Sequence, residues 1–274
     1  MLLLIILAQA YNFFFEISSP LDQFEIKPVF SIEFSMVQDK FIQISFLNID
    51  FYIFISLLLI IVMNSFSVNF NKIVSNNWSI SQEVITGTLL NIFVSHINQK
   101  EAQIYFPILY SLFMFILINN LIGLLPYSFA VTAQLVAFAL GTTVVLGCTL
   151  LGFKEHGIKF FSLFVPSGTD RLGLLPLLVI IETISYCARA LSLGLRLGVN
   201  ITSGHLLLAI FSGFTYKIMS FGFVYFILGL CPLVLILALT ALEFAISIVQ
   251  ALVFVILAIL YFKDALYLHS DDTK

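Results

Sequence analysis

The chain is short of almost everything that covers a water-facing protein. Charged side chains make up 10% of its 274 residues, 12 basic and 15 acidic, against about 25% in an ordinary globular chain. So few charges cannot coat a soluble surface of this size. There is no basic run and the net charge is only -3, which excludes nucleic-acid binding by the usual electrostatic route. Cysteine is nearly absent as well. Cys148, Cys187 and Cys231 each sit among apolar neighbours, with no Cys-x-x-Cys and no paired His spacing, so they frame neither disulfides nor a metal site. No nucleotide-binding motif occurs, and nothing in the pattern requires a cofactor. Proline is scarce too: after Pro176 only Pro232 interrupts the chain.

What is present is hydrophobic, at 61% of residues and a mean hydropathy of +1.10. Long apolar stretches of this kind are stable where lipid replaces water, which predicts several membrane spans. The run at residues 2–8 is too short to span, and no basic residues precede it as a secretory signal would require. Residues 1–44 read as an extramembrane N-terminal segment, acid-biased and broken by Pro20 and Pro28. Residues 45–153 read as transmembrane spans plus one amphipathic helix. The spans are expected near 45–66, 104–126 and 129–153, the last two joined by a turn at Pro126, Tyr127 and Ser128. Between the first and second, Ile80, Val84, Ile85, Leu89, Ile92, Phe93 and Ile97 recur at helical spacing, the pattern of a helix lying in the membrane interface.

Residues 154–173 form a polar loop, and 174–274 contain two unusually long apolar tracts, 174–213 and 219–262. As continuous helices at 1.5 Å per residue each would run to about 60 Å or more, roughly twice the ~30 Å hydrocarbon thickness. Neither tract holds a polar hairpin loop. The expected fold is therefore all-α and integral to the membrane: upright N-terminal spans, the interfacial helix, and two long tilted helices paired as a hairpin around 214–218. With the N-terminus outside, Lys72, Lys100, Lys154, Lys159, Arg171, Lys263 and Lys274 share one side and Lys27, Lys40 and Lys217 the other, which agrees with the positive-inside rule.

The long tracts carry ionisable residues that such a chain should avoid: Glu182, Arg189, Arg196, His205 and Glu243. Each costs about 2.5–3.5 kcal/mol or more at a lipid-facing helix centre, so each needs a partner, a water cavity or a task. Glu182, Arg189 and Arg196 are seven apart and share a helix face, with Ser185, Ser192, Asn200 and Ser203 close to the same stripe. Glu243, Ser247 and Gln250 make a second polar seam. These seams can pair internally as helix glue, Glu182 with Arg189 for example, or they can line a proton path. Arg196 has no carboxylate within a helical turn, so its counterion must come from elsewhere. Beside it, Ala190, Gly194, Gly198 and Thr202 form a small-residue ridge that lets another helix approach. One apolar-tract His is too few for a metal or haem; the His205 imidazole, with an ordinary pKa of about 6.5, suits either a proton relay or helix packing.

The run ETISYCARALSLGLRLGVNITSGHLLLAI (182–210), followed by Glu243 in ALEFAISIVQALVFVILAILYFKDAL, resembles subunit a of the F-type rotary ATP synthase, most of all its mitochondrial members. The likeness extends to SPLDQFEI (19–26), NNLIGLLPYSF (119–129) and HGIKFFSLFVPSG (156–168). That resemblance implies two long helices packed against a rotating ring of small hairpin subunits, the c-ring, with peripheral-stalk and other membrane-sector subunits as further partners in the mitochondrial inner membrane. It implies that Arg196 separates two aqueous half-channels and faces the ring carboxylate. Glu243 and His205 would give proton access from the intermembrane space, Glu182 would form the matrix-side exit, and Asn200 and Gln250 would flank the arginine. Arg189, Ser192, Ser203 and Ser247 are further candidates on the seams. The rival from another class is a proton-coupled secondary transporter, but such folds show internal repeats and no corresponding half to 174–262 occurs. A bare scaffold role leaves Arg196 unexplained. On antiparallel helices facing residues have a constant sum of numbers, which pairs Arg196 with Gln250 and His205 with Glu243.

Overall fold

In the computed structural model, residues 28–36, 40–67, 76–124, 135–165 and 175–267 are described. The apolar run at 2–8, the stretch through Lys27, Lys72, the Pro126 turn, Arg171 and Lys274 lie outside them.

The first elements are two strands, β1 (Pro28–Met36) and β2 (Lys40–Leu47), paired antiparallel from Pro28 opposite Leu47 to Met36 opposite Lys40. This hairpin is absent from the sequence expectation, which weighed charge and proline. The signal was the strict alternation of Phe30, Ile32 and Phe34 with Ser31, Glu33 and Ser35, and of Ile42, Ile44 and Phe46 with Gln43 and Ser45.

Helix α1 (Asn48–Ser67) follows directly. Helix α2 (Asn77–Val94) covers the stretch expected to be amphipathic, and the Asn76 side chain caps it by accepting the Asn77 N–H at 2.8 Å. Leu89 and Phe93 of the expected apolar face are buried, but Ile80 and Val84 are exposed and Gln82 is buried instead, where Tyr110 of the next helix donates to it. Helices α3 (Gln99–Gly123) and α4 (Leu135–His156) are the expected hairpin spans, and a 3-10 segment, Gly157–Phe164, folds back from the end of α4.

The two long tracts are continuous helices, α5 (Leu175–Ser220) and α6 (Phe223–Leu266). Their 46 and 44 residues give lengths of about 69 and 66 Å. The bend between them falls at Phe221 and Gly222, not at 214–218. Thr215 and Lys217 stay helical because the chain reverses where a residue can take positive φ, and Gly222 does so at +143°. Among the described residues, five helical stretches are long and apolar enough to cross a membrane, in α1, α3, α4, α5 and α6.

The core lies where the middle of α3 meets the C-terminal half of α6: Phe113, Met114 and Ile116 against Ala251, Phe254, Val255, Ala258 and Ile259. Gly194 lets α4 cross α5 closely, since a Cβ there would stand 2.8 Å from the Phe138 Cα and 3.0 Å from the Ala137 carbonyl oxygen. The N-terminal half of α6 is different: Val224, Ile227, Leu228, Val234 and Leu237 are all exposed, as lipid-facing or partner-facing surface would be.

Candidate proton path

Three groups of polar side chains punctuate α5. Nearest its C-terminal half is a small cavity of about 30 Å³ walled by α3, α5 and α6: Asn120, Asn200, Ile201, Glu243, Ser247 and Gln250, with Leu124 and Ile246. It has room for about one water. The Asn200 amide donates to Gln250 Oε1 at 3.3 Å, and the Asn120 amide donates to the Ser247 carbonyl at 3.4 Å. Asn120 is 1% exposed, and its Oδ1 has no hydrogen-bond partner among the described residues. A buried amide oxygen left in this state sits where a water belongs.

Glu243 reaches this cavity across Gly204. A Cβ at position 204 would lie 2.6 Å from the Glu243 Oε1, so only glycine lets the carboxyl group rest against the α5 backbone beside His205. His205 itself is partly buried against the end of α3, where its ring meets a backbone hydrogen bond at Gly123.

The second group lies toward the N-terminal end of α5, in a roomier cavity of about 160 Å³ lined by Leu163, Phe164, Glu182, Tyr186, Arg189 and Asp264. Arg189 Nη1 stands 3.8 Å from Asp264 Oδ2, and its guanidinium carbon is 6.0 Å from the centre of the Tyr261 ring. Tyr261 donates to the Tyr186 carbonyl at 3.2 Å, and the two rings meet edge to face at 5.0 Å. Of the two readings left open for Arg189, a pair with Glu182 or a cavity lining, the structure gives a lining residue whose ion pair is with Asp264. A neighbour on the same helix lost to an acid delivered by α6, while Glu182 is left lining the cavity.

Arg196 stands between the two groups, about 6 Å along the axis from Asn200 and about 10 Å from Arg189. It is exposed, and its Nη2 donates to Ser192 Oγ at 3.4 Å. Ser203 is also exposed and donates to the Asn200 carbonyl at 3.1 Å, whereas Ser247 is buried on the cavity wall. The helix register matches the expected sums closely, but the partner differs. Gln250 is bonded to Asn200, one turn from Arg196, because its buried position faces α3 and leaves Arg196 turned outward.

Sequence reasoning missed Asp264 and Asn120. Asp264 lies at the end of an apolar tract next to Lys263, where no helical spacing ties it to either polar seam. Asn120 was quoted only within an apolar run, although an adjacent Asn pair inside a span is costly enough to have drawn notice.

Comparison with known proteins decides the family. The model of the ATP synthase A chain matches residues 50–263. The chain belongs to the ATP synthase A chain family. It is 55% identical to ATP synthase subunit a of Podospora anserina over 94% of this chain and 97% of that protein. For the Neurospora crassa subunit a the identity is 54%, over 93% and 96%, and for that of Saccharomyces cerevisiae 49%, over 92% and 97%. Membership gives the chain a proton-translocating stator role in the membrane sector of ATP synthase, alongside the other subunits of that sector. Fungal mitochondrial relatives and the apolar helices together make it a multi-pass protein of the mitochondrial inner membrane. No observation favours the secondary-transporter reading.

Proposed function

We propose that the two cavities are the inner ends of two aqueous half-channels and that Arg196 keeps them apart. The observation that carries this reading is their order along the α5–α6 hairpin: Asn200 of α5 with Glu243 and Gln250 of α6 on one side of Arg196, and Glu182 and Arg189 of α5 with Asp264 of α6 on the other. Lys100, Lys154, Lys159 and Lys263 lie at the end of the bundle nearer the Glu182 cavity, and Lys217 near the opposite end. By the positive-inside rule the Glu182 cavity opens to the matrix and the Glu243 cavity to the intermembrane space. The segment over residues 154–173, expected as a loop but begun by the end of α4 and the 3-10 segment, then lies on the matrix side, and the N-terminal segment, residues 1–44, outside the membrane on the other.

The exposed Arg196 faces a ring of small hairpin subunits, with the outward apolar residues Leu195 and Val199 beside it. A ring carboxylate must be neutral to pass lipid and ionised to exchange its proton. The guanidinium favours the ionised form as each carboxylate passes. Protons enter through Glu243 and His205, with Asn120, Asn200, Ser247 and Gln250 ordering water beside them, and they leave through Glu182. A proton cannot cross Arg196 directly, so it rides the ring. Each proton falling through 100 mV delivers about 2.3 kcal/mol. Peripheral-stalk contacts hold the chain still against that torque. Nucleotide chemistry belongs to other subunits, and this chain binds no nucleotide itself.

The test is ATP synthesis in mitochondria carrying Arg196→Ala at normal levels of assembled enzyme. Synthesis at a near-normal rate would sink the separator role.

A further inference from the structure

The last turn of α6 is tied down from two other helices. Tyr267, which ends α6, is extended (φ -119°, ψ 111°), and its N–H donates to the Lys263 carbonyl at 2.8 Å. Its phenol donates to the Glu101 carboxylate in the first turn of α3 and accepts the Asn98 N–H at 3.3 Å. The Leu266 carbonyl is one of the acceptors that a helix C-terminus leaves without an intrahelical partner, and His156 Nε2, from the end of α4, meets it at 3.0 Å. Just inside, the rings of Tyr105 and Phe262 are 5.4 Å apart. Helix ends fray where nothing holds them, and here three helix termini hold one another.

These ties lie at the edge of the apolar core: Tyr105, Phe262, Leu266 and Tyr267 pack against the cluster that holds Phe254, Val255 and Ile259, so removing the Tyr267 hydroxyl while keeping its ring leaves that packing in place. What they govern is the turn that carries Asp264, the acid that meets Arg189 in the Glu182 cavity. Burial, and then the bond to Glu101, push the Tyr267 phenol above its ordinary range, so it remains a donor at any matrix pH.

We propose that Tyr267 is a positioning residue for proton transfer, acting through Asp264: by gripping Glu101 and Asn98 it keeps the final turn of α6 wound and the Asp264 carboxylate against Arg189. This rests on the reading of the Glu182 cavity as a half-channel, and the test separates the two. In the assembled enzyme in inner-membrane vesicles, Tyr267→Phe keeps the ring and removes the hydroxyl. Amide hydrogen exchange over 263–266 should quicken by about tenfold, and ATP-driven proton flux should fall roughly three- to tenfold, the scale of one net hydrogen bond. Asp264→Asn should lower flux by itself, and adding Tyr267→Phe to it should cost nothing further. Glu101→Gln retains an acceptor and should keep flux near normal, whereas Glu101→Leu should reproduce Tyr267→Phe and serves in its place if that variant assembles poorly. Unchanged exchange in Tyr267→Phe, or a loss that multiplies that of Asp264→Asn, overturns the positioning role while leaving the half-channel intact. Normal flux in Asp264→Asn overturns the half-channel reading, and the exchange measurement still reports whether Tyr267 holds the turn.

Discussion

The two cavities on α5 solve the problem of polar groups in a membrane in opposite ways. Around Glu243 a single carboxyl group is surrounded by neutral amides and a hydroxyl, in a space of about 30 Å³. Around Glu182 the groups are ionic, with Arg189 set between Asp264 and the Tyr261 ring in a space of about 160 Å³. The first is built to order one water beside one titrating group. The second sets one cation against two acids and has room for several waters. A proton arriving at the first must be passed singly, whereas one released into the second meets a site where a fixed cation faces two carboxyl groups.

The sharpest way to break this contrast is to remove what divides the two. Arg196→Ala should abolish both ATP synthesis and ATP-driven proton uptake, and Arg196→Lys should rescue poorly because a flexible ammonium lacks the planar, permanently charged fork. Vesicle acidification assays on equal amounts of assembled enzyme read both effects. Glu243→Gln comes next. It should slow flux on the order of 10²-fold, the usual scale of one proton-transfer group, and equally in synthesis and hydrolysis. Because His205 follows the Gly204 that Glu243 rests against, it can share the relay and flux should not vanish; unaltered flux in both directions would make Glu243 a packing residue.

On the ionic side a substitution should hurt less. Asp264→Asn leaves Glu182 and Arg189 in the larger, wetter cavity, so a loss of about tenfold is expected, and a loss as large as that of Glu243→Gln would erase the distinction between the cavities. The smallest effect should come from Asn120→Leu, which fills the small cavity with an apolar group of similar size. It removes an unpartnered buried Oδ1 together with the long bond to the Ser247 carbonyl, an acceptor that stays within its own helix, so thermal stability should hold while flux drops only a few-fold. A stability loss of several kcal/mol with normal flux would show that Asn120 packs and orders no water.

Much of this arrangement was legible in the sequence, and the reasons for the gaps are physical. The length of an uninterrupted apolar tract is a direct statement about helix length, so α5 and α6 were readable. Ionisable residues seven apart had to share a stripe, so Glu182, Arg189 and Arg196 were found together. Where two helices had to be paired, the constant sum of residue numbers came within a few units: Asn200 meets Gln250, and Glu243 lies against Gly204. Partner identity was not legible, because a register fixes height along the helices and says little about rotation around them. Gln250 turned toward Asn200 for that reason, and Arg189 found Asp264 on another helix. The bend at Gly222 moved by a few residues because the local φ requirement outweighed the composition of the tract. The β hairpin went unseen because a period of two was not sought in a segment already classed by its charge.

The central claim is that the cavities open on opposite sides of Arg196 and of the membrane. Cysteines at Ser247 and Leu163 line the two cavities separately, and Cys187 and Cys231 can be changed to Ser beforehand. Cadmium ion is small, binds thiolates and does not cross lipid. Added to the assembled enzyme from the intermembrane-space face, it should block proton flux in Ser247→Cys and spare Leu163→Cys; added from the matrix face, it should do the reverse. Block of both variants from one and the same face would contradict the account.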